Sequence, residues 1–141
     1  MTKKKCSNSI VWHPLFPLDG WFGFTTSVDV LNKELKRKGA NTETFESGVI
    51  AKCLHIVSQD YTVLSIVCYD RDSAVSRGVL PIQEAALLAH EAVHATKYVH
   101  DFFGIDSNDY ELFAISVQGF TQFMLEELRK LDEISNLSSS R

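Results

Sequence analysis

Two histidines four residues apart, His90 and His94, flank Glu91 in the run Leu87-Leu88-Ala89-His90-Glu91-Ala92-Val93-His94. This is an HExxH pattern within a stretch whose apolar residues follow a helical spacing. Residues four apart share a helix face, roughly 6 Å from one another, so both imidazoles can reach one tetrahedral ion, and zinc suits that donor type. Glu91 is displaced around the helix by one residue, which makes it a poor ligand but lets it reach a water on the metal. Zinc lowers the pKa of such a water from about 15.7 to about 7. Glu91 can take that proton during attack on a carbonyl and later pass one to the leaving group. A chain of this length and composition would carry the pattern by accident on the order of one time in a hundred.

A third protein ligand is required, and Glu111 is the best candidate. A second reading competes with it: Asn108-x-x-Glu111 fits a capping box, in which the carboxylate only serves the start of a helix. Geometry adds a constraint. His94 lies about 15 Å of helix before the turn near Gly104. In a strictly antiparallel helical hairpin, Gln118 comes nearer to the level of His94 than Glu111 does, which makes Gln118 a further site residue to consider. Tyr98, one turn after His94, can donate a hydrogen bond near the site. His55 falls in an expected strand, either beside the site or as a hydrogen-bonded structural histidine. His13 has the same two readings, and His100 and Asp101 are expected to be exposed. No oxyanion stabiliser stands out, and GxSxG, Walker A, GxGxxG and EF-hand patterns are absent.

The elements that must hold these residues can be read from pattern. Trp12 to Pro17 is apolar but interrupted by prolines, so an extended segment packed on the body is expected. Trp21 to Thr25 suits a short strand. Ser27 or Asp29 can cap a helix to about Lys38, stopped by Gly39. Thr42–Glu46, Gly48–Ser58 and Tyr61–Tyr69 are rich in strand formers, and Gln59-Asp60 makes the last two a hairpin. Their apolar residues fall on both faces, which implies helices over one face and partial cover on the other. Asp70 to Gly78 reads as a loop. Pro81 suits the first turn of a helix to about Phe103, ended by Gly104. Ser107 or Asn108 starts another, running to about Asp132. The aromatics Phe102, Phe103, Phe113, Phe120 and Phe123 fall at helical spacing and are expected in the core. The fold class is therefore α+β: an N-terminal helix and a short sheet, then the HExxH helix and a second C-terminal helix. Residues 1–134 form one domain and 135–141 a frayed tail.

Composition limits the partners. The 141 residues are 45% hydrophobic and 23% charged, with a net charge of −4. That balance is globular, and the negative sign argues against a nucleic-acid partner held by phosphate contacts. Lys3-Lys4-Lys5 reads as a solvated tail. No run reaches the ~18 apolar residues of a membrane span, so no membrane partner is expected. The N-terminus does not read as a signal peptide. Cys6, Cys53 and Cys68 form no close-spaced pair, which suggests free thiols in a reducing compartment. Cys53 and Cys68 are expected on neighbouring strands of the sheet core.

The run from Ala85 to His94, followed by Glu111-x-x-Ala114 and Gln118, resembles small HExxH metallopeptidase-like proteins encoded by phages and prophages. Trp12-His13-Pro14-Leu15-Phe16 and the central strand pair are similar to that group too. More broadly, the arrangement is similar to the gluzincins, which include the ImmA/IrrE repressor-cleaving peptidases. The resemblance implies a minimal zincin-like domain with a short antiparallel sheet over the active-site helix. It implies Zn2+ held by His90, His94 and Glu111, with Glu91 as general base. It also implies an edge strand that pairs with an extended peptide or protein substrate, and a bacterial host cytoplasm as the setting. Ala114 matches the gluzincin pattern. Ile115 replaces the polar residue usual there, which removes a partner that would orient a ligand histidine. The alternative function is a non-catalytic zincin-fold binding protein, a phage regulatory or anti-defence factor whose metal is structural.

Overall fold

The structure is a computed structural model and describes residues 9–106 and 108–139, excepting the side chains of 138 and 139. Cys6, the Lys3–Lys5 cluster and Ser107 lie outside the described residues. The chain forms strands β1 (Val11–Pro14) and β2 (Gly20–Thr25), helix α1 (Val28–Arg37), strands β3 (Ala51–Val57) and β4 (Val63–Tyr69), then helices α2 (Arg71–Ser76), α3 (Pro81–Phe102) and α4 (Tyr110–Ser139). It is an α+β fold around one four-stranded sheet of order β1-β2-β4-β3.

The sheet is mixed, where a purely antiparallel one was expected. β1 pairs with β2, and β3 with β4, antiparallel, but β2 and β4 run parallel. Parallel neighbours need a long crossover. Here α1 and the extended segment after it provide one, carrying the chain over the sheet to the far edge before the β3–β4 hairpin returns. Ser27 caps α1 by accepting from the Val30 amide. Its buried Leu31 and Leu35 pack with Ile66 and Cys68 on one face of the sheet. The other face is covered by α3 and α4, whose Leu88, Ala92, Ala95, Met124 and Leu128 meet Phe22, Phe24, Val67 and Tyr69. Cys53 packs with this second cluster, so the two described cysteines occupy opposite faces of adjacent strands, both as free thiols.

Four other expectations change. Trp12 belongs to a true strand, β1, whose indole lies so close over Gly23 that a Cβ there would sit 2.7 Å from the ring. Thr42–Glu46 is not a strand. The side chain of Asn32 takes both backbone groups of Glu43, and Lys52 donates to the Thr44 carbonyl, so these groups are satisfied without a ladder partner. Asp70–Gly78 is not a loop. Asp70 caps α2 through the Ser73 amide and hydroxyl, and Ala74 anchors the helix in the core. α4 also runs well past Asp132, through residues read as tail. No helix among the described residues is long and apolar enough to cross a membrane.

Candidate functional site

α3 carries the HExxH residues, and its start is firmly set. Pro81 opens the first turn, and the Gln83 side chain reaches back to accept from the Leu80 amide. Glu84 accepts a 2.6 Å hydrogen bond from the Tyr69 hydroxyl. Arg71, 9% exposed, lies 3.9 Å from Glu84 and 2.9 Å from Asp132. This buried guanidinium joins α2, α3 and α4 at one end of the sheet. No motif pointed to it, since its partners are distant in sequence.

Ala92, Ala95 and Thr96 are fully buried, so α3 presses its small residues against the sheet. His90 and His94 therefore project outward, and both are exposed. Their rings are in T-shaped contact, with the two Nε2 atoms 3.1 Å apart. Two nitrogens bound at 2.0–2.1 Å to one tetrahedral ion would be about 3.3 Å apart. The rings thus converge as a ligand pair does. Without an ion, the same spacing lets one Nε2–H donate to the other Nε2.

Glu91 turns inward and is only 6% exposed. Burial pushes its carboxyl above the usual range, and the neighbouring His90 and His94 partly offset this. No protein group hydrogen-bonds this carboxylate among the described residues, so its oxygens are available to a water or a substrate proton.

Below and beside α3 lies a second group, on β3 and β4. A turn centred on Asp60 pairs His55 with Ser65. His55 Nδ1 is 3.1 Å from the Ser65 hydroxyl, and Cys53 Sγ is 3.7 Å from that hydroxyl and 3.9 Å from His55 Nε2. The His55 ring stacks on Tyr98 at 3.8 Å with planes 8° apart. Burial, with a smaller contribution from His94, lowers the His55 pKa to about 4, so the ring is neutral at pH 7. Burial raises the Cys53 thiol to about 12, against any role as a nucleophile. Tyr98 thus continues the His90–His94 stripe, and β3, an edge strand, lies next to it.

The candidate third ligand is not brought to the pair. Among the described residues, no group of three His, Cys, Asp or Glu side chains is placed to hold a metal ion. Glu111 is exposed in the first turn of α4. It does not form the competing capping box either: Asp109 caps the helix by accepting from the Leu112 amide. The reason is register. His100 meets Phe113 and Ser116 across the hairpin, and His100 lies about 9 Å along the helix from His94. Gln118 instead shares an open cavity of about 850 Å³ with Ala89 and Val93, at the level of the histidines. His13 sits on the opposite edge strand against Phe123, away from the site. His100, expected to be exposed, is buried, whereas Asp101 is exposed and pairs with Lys97.

No family model, curated protein or solved structure matches this chain.

Proposed function

We propose that this chain is a zinc-dependent metallopeptidase-like hydrolase, with His90 and His94 as metal ligands and Glu91 as general base. The observation that carries the reading is the convergence of two exposed imidazole nitrogens at 3.1 Å beside a buried carboxylate without a protein partner. The donor type and spacing of this pair fit zinc. Glu111 does not complete the set in this arrangement, so the proposed centre has two protein ligands and is otherwise open to solvent and substrate. Bound there, zinc would acidify water and polarise the carbonyl under attack.

The chain's own groups do the rest. Glu91, with its affinity for protons raised by burial, accepts one from the attacking water and delivers one to the leaving amine. Tyr98, held flat against His55, offers a fixed wall on the substrate side. The edge strand β3 offers unpaired backbone groups to an extended peptide. A peptide or protein substrate in a bacterial host cytoplasm fits a phage-type origin.

One observation favours a second reading. The lack of a third ligand beside the histidines among the described residues suits a zincin-like binding protein that acts without hydrolysis; a structural metal there would need further ligands, since such sites are closed by four protein groups. Glu91→Gln separates the two readings. It preserves shape and leaves both histidines intact, so a hydrolase loses peptide cleavage while zinc uptake persists. A binding protein retains its function in this variant.

A further inference from the structure

The first half of α4 carries no charged residue from Leu112 to Leu125, although much of it is exposed. Its inner face is accounted for. Met124 is buried, and Phe113, Val117, Phe120 and Phe123 pack against the core. Its outer face has no cover among the described residues. Ala114, Ile115, Gln118 and Gln122 are exposed there, Ile115 at 61%. Gln118, Gln122, Leu125 and Arg129 form one bank of the open groove of about 850 Å³, and Ala89 and Val93 of α3 form the other.

One outer stripe of α4 has the spacing of a coiled-coil seam. Glu111, Ile115, Gln118, Gln122, Leu125 and Arg129 follow one another at alternating steps of four and three residues. This is the a/d repeat that keeps one row of side chains facing a partner helix. The stripe is also complementary to its own reverse. Its positions are symmetric about Phe120, so in two antiparallel copies Glu111 of one lies opposite Arg129 of the other, Ile115 opposite Leu125, and Gln118 opposite Gln122. Each layer then occurs twice about a two-fold axis, with ion pairs at the ends, apolar pairs inside them and amide pairs at the centre. No layer joins like charges or sets an apolar side chain against a charge. The end residues are available for these roles. Glu111 makes no ion pair within the chain among the described residues, and the ion pair of Arg129 with Glu133 is exposed at both ends, so it is worth little in water.

We infer that this face docks a second copy of the chain, with α4 packed antiparallel against α4 of its partner. The seam from Glu111 to Arg129 is about 27 Å long, or five helical turns. Charge complementarity selects the occupant: an unrelated protein need not carry the reverse of this stripe, whereas a second copy always does. The amide layers make the seam less stable than an all-apolar one but fix its register. A slip of one heptad removes both ion pairs. Tyr98 and β3 lie on the other flank of α3, and the edge strand stays open. The seam uses none of His90, Glu91 or His94, so it is independent of the zinc reading.

Sedimentation equilibrium of the untagged full chain in reducing buffer tests this. The wild type should pass from monomer to dimer in the micromolar range. Glu111→Arg and Arg129→Glu should each weaken dimerisation about tenfold, because the two-fold axis turns two ion pairs into two like-charge pairs at once. Both exchanges together should restore the wild-type affinity. A parallel pair, which sets Glu111 against Glu111 and Arg129 against Arg129, is not weakened by either single reversal. Gln118→Leu with Gln122→Leu, which makes the central layers apolar, should tighten the dimer, a gain that no folding defect produces. A wild type that stays monomeric throughout the micromolar range, a dimer indifferent to both single reversals, a double exchange no better than either alone, or no tightening in the leucine variant would overturn the assignment.

Discussion

Helix α3 holds histidines in two contrasting settings. His90 and His94 stand on its outer face with their nitrogens exposed and turned towards each other. His100, less than two turns on, is sealed between α4 and the core, and His55 is pressed against the helix from β3. An imidazole has different needs in the two settings. An exposed ring exchanges solvent for a ligand at little cost. A covered ring must find hydrogen bonds within the fold, as the half-buried His55 does in Ser65, or remain short of one, as the buried His100 Nδ1 does. Only the exposed pair has the freedom to take up an ion, and only the buried rings have chemistry fixed by their neighbours.

The largest expected effect is on turnover. If the outer pair works as proposed, Glu91→Gln lowers peptide hydrolysis by about 10²–10⁴-fold with little change in zinc uptake, read by a fluorogenic peptide library and metal analysis side by side.

The half-buried His55 should reveal itself through pH. Its folded pKa of about 4 lies below the ordinary 6.5, so the native state binds fewer protons than the unfolded chain between those values. Stability contributed by keeping His55 neutral is present above pH 6.5 and lost as pH falls towards 4. Urea unfolding of metal-free protein between pH 4 and 7 should show that loss, and His55→Gln should flatten it. An unchanged slope in the variant would place the titration elsewhere.

Glu91 has the opposite dependence. Its folded pKa is raised, so in the metal-free protein its burial becomes destabilising as pH rises above the ordinary carboxylate range. Metal-free Glu91→Gln should therefore melt at a higher temperature than the wild type at pH 7 and at nearly the same temperature near pH 4. A smaller effect is expected from Ser65→Ala, which removes the partner of His55 Nδ1 and should cost about 1 kcal/mol in the same unfolding measurement.

Much of this contrast could be read from sequence, because it rests on local periodicity. The i, i+4 spacing put His90 and His94 on one face. The Gln59-Asp60 turn gave the β3–β4 hairpin, and with it the His55–Ser65 pairing was within reach. What escaped depends on long-range register. Glu111 was favoured by its sequence pattern, but the helical hairpin sets Phe113 and Ser116 opposite His100 and leaves Glu111 beyond the pair. The parallel β2–β4 pairing depends on where α1 carries the chain. The Arg71–Glu84–Asp132 anchor joins residues that no local window contains. His100 looked like an exposed histidine near a helix end because nothing in its own segment shows that α4 closes over it.

The most direct measurement is zinc content and affinity for the untagged protein, compared with His90→Ala, His94→Ala and Glu111→Ala. One zinc per chain is expected, lost in both histidine variants and retained in Glu111→Ala. No uptake by the wild type at micromolar zinc, or uptake indifferent to both histidines, would contradict it.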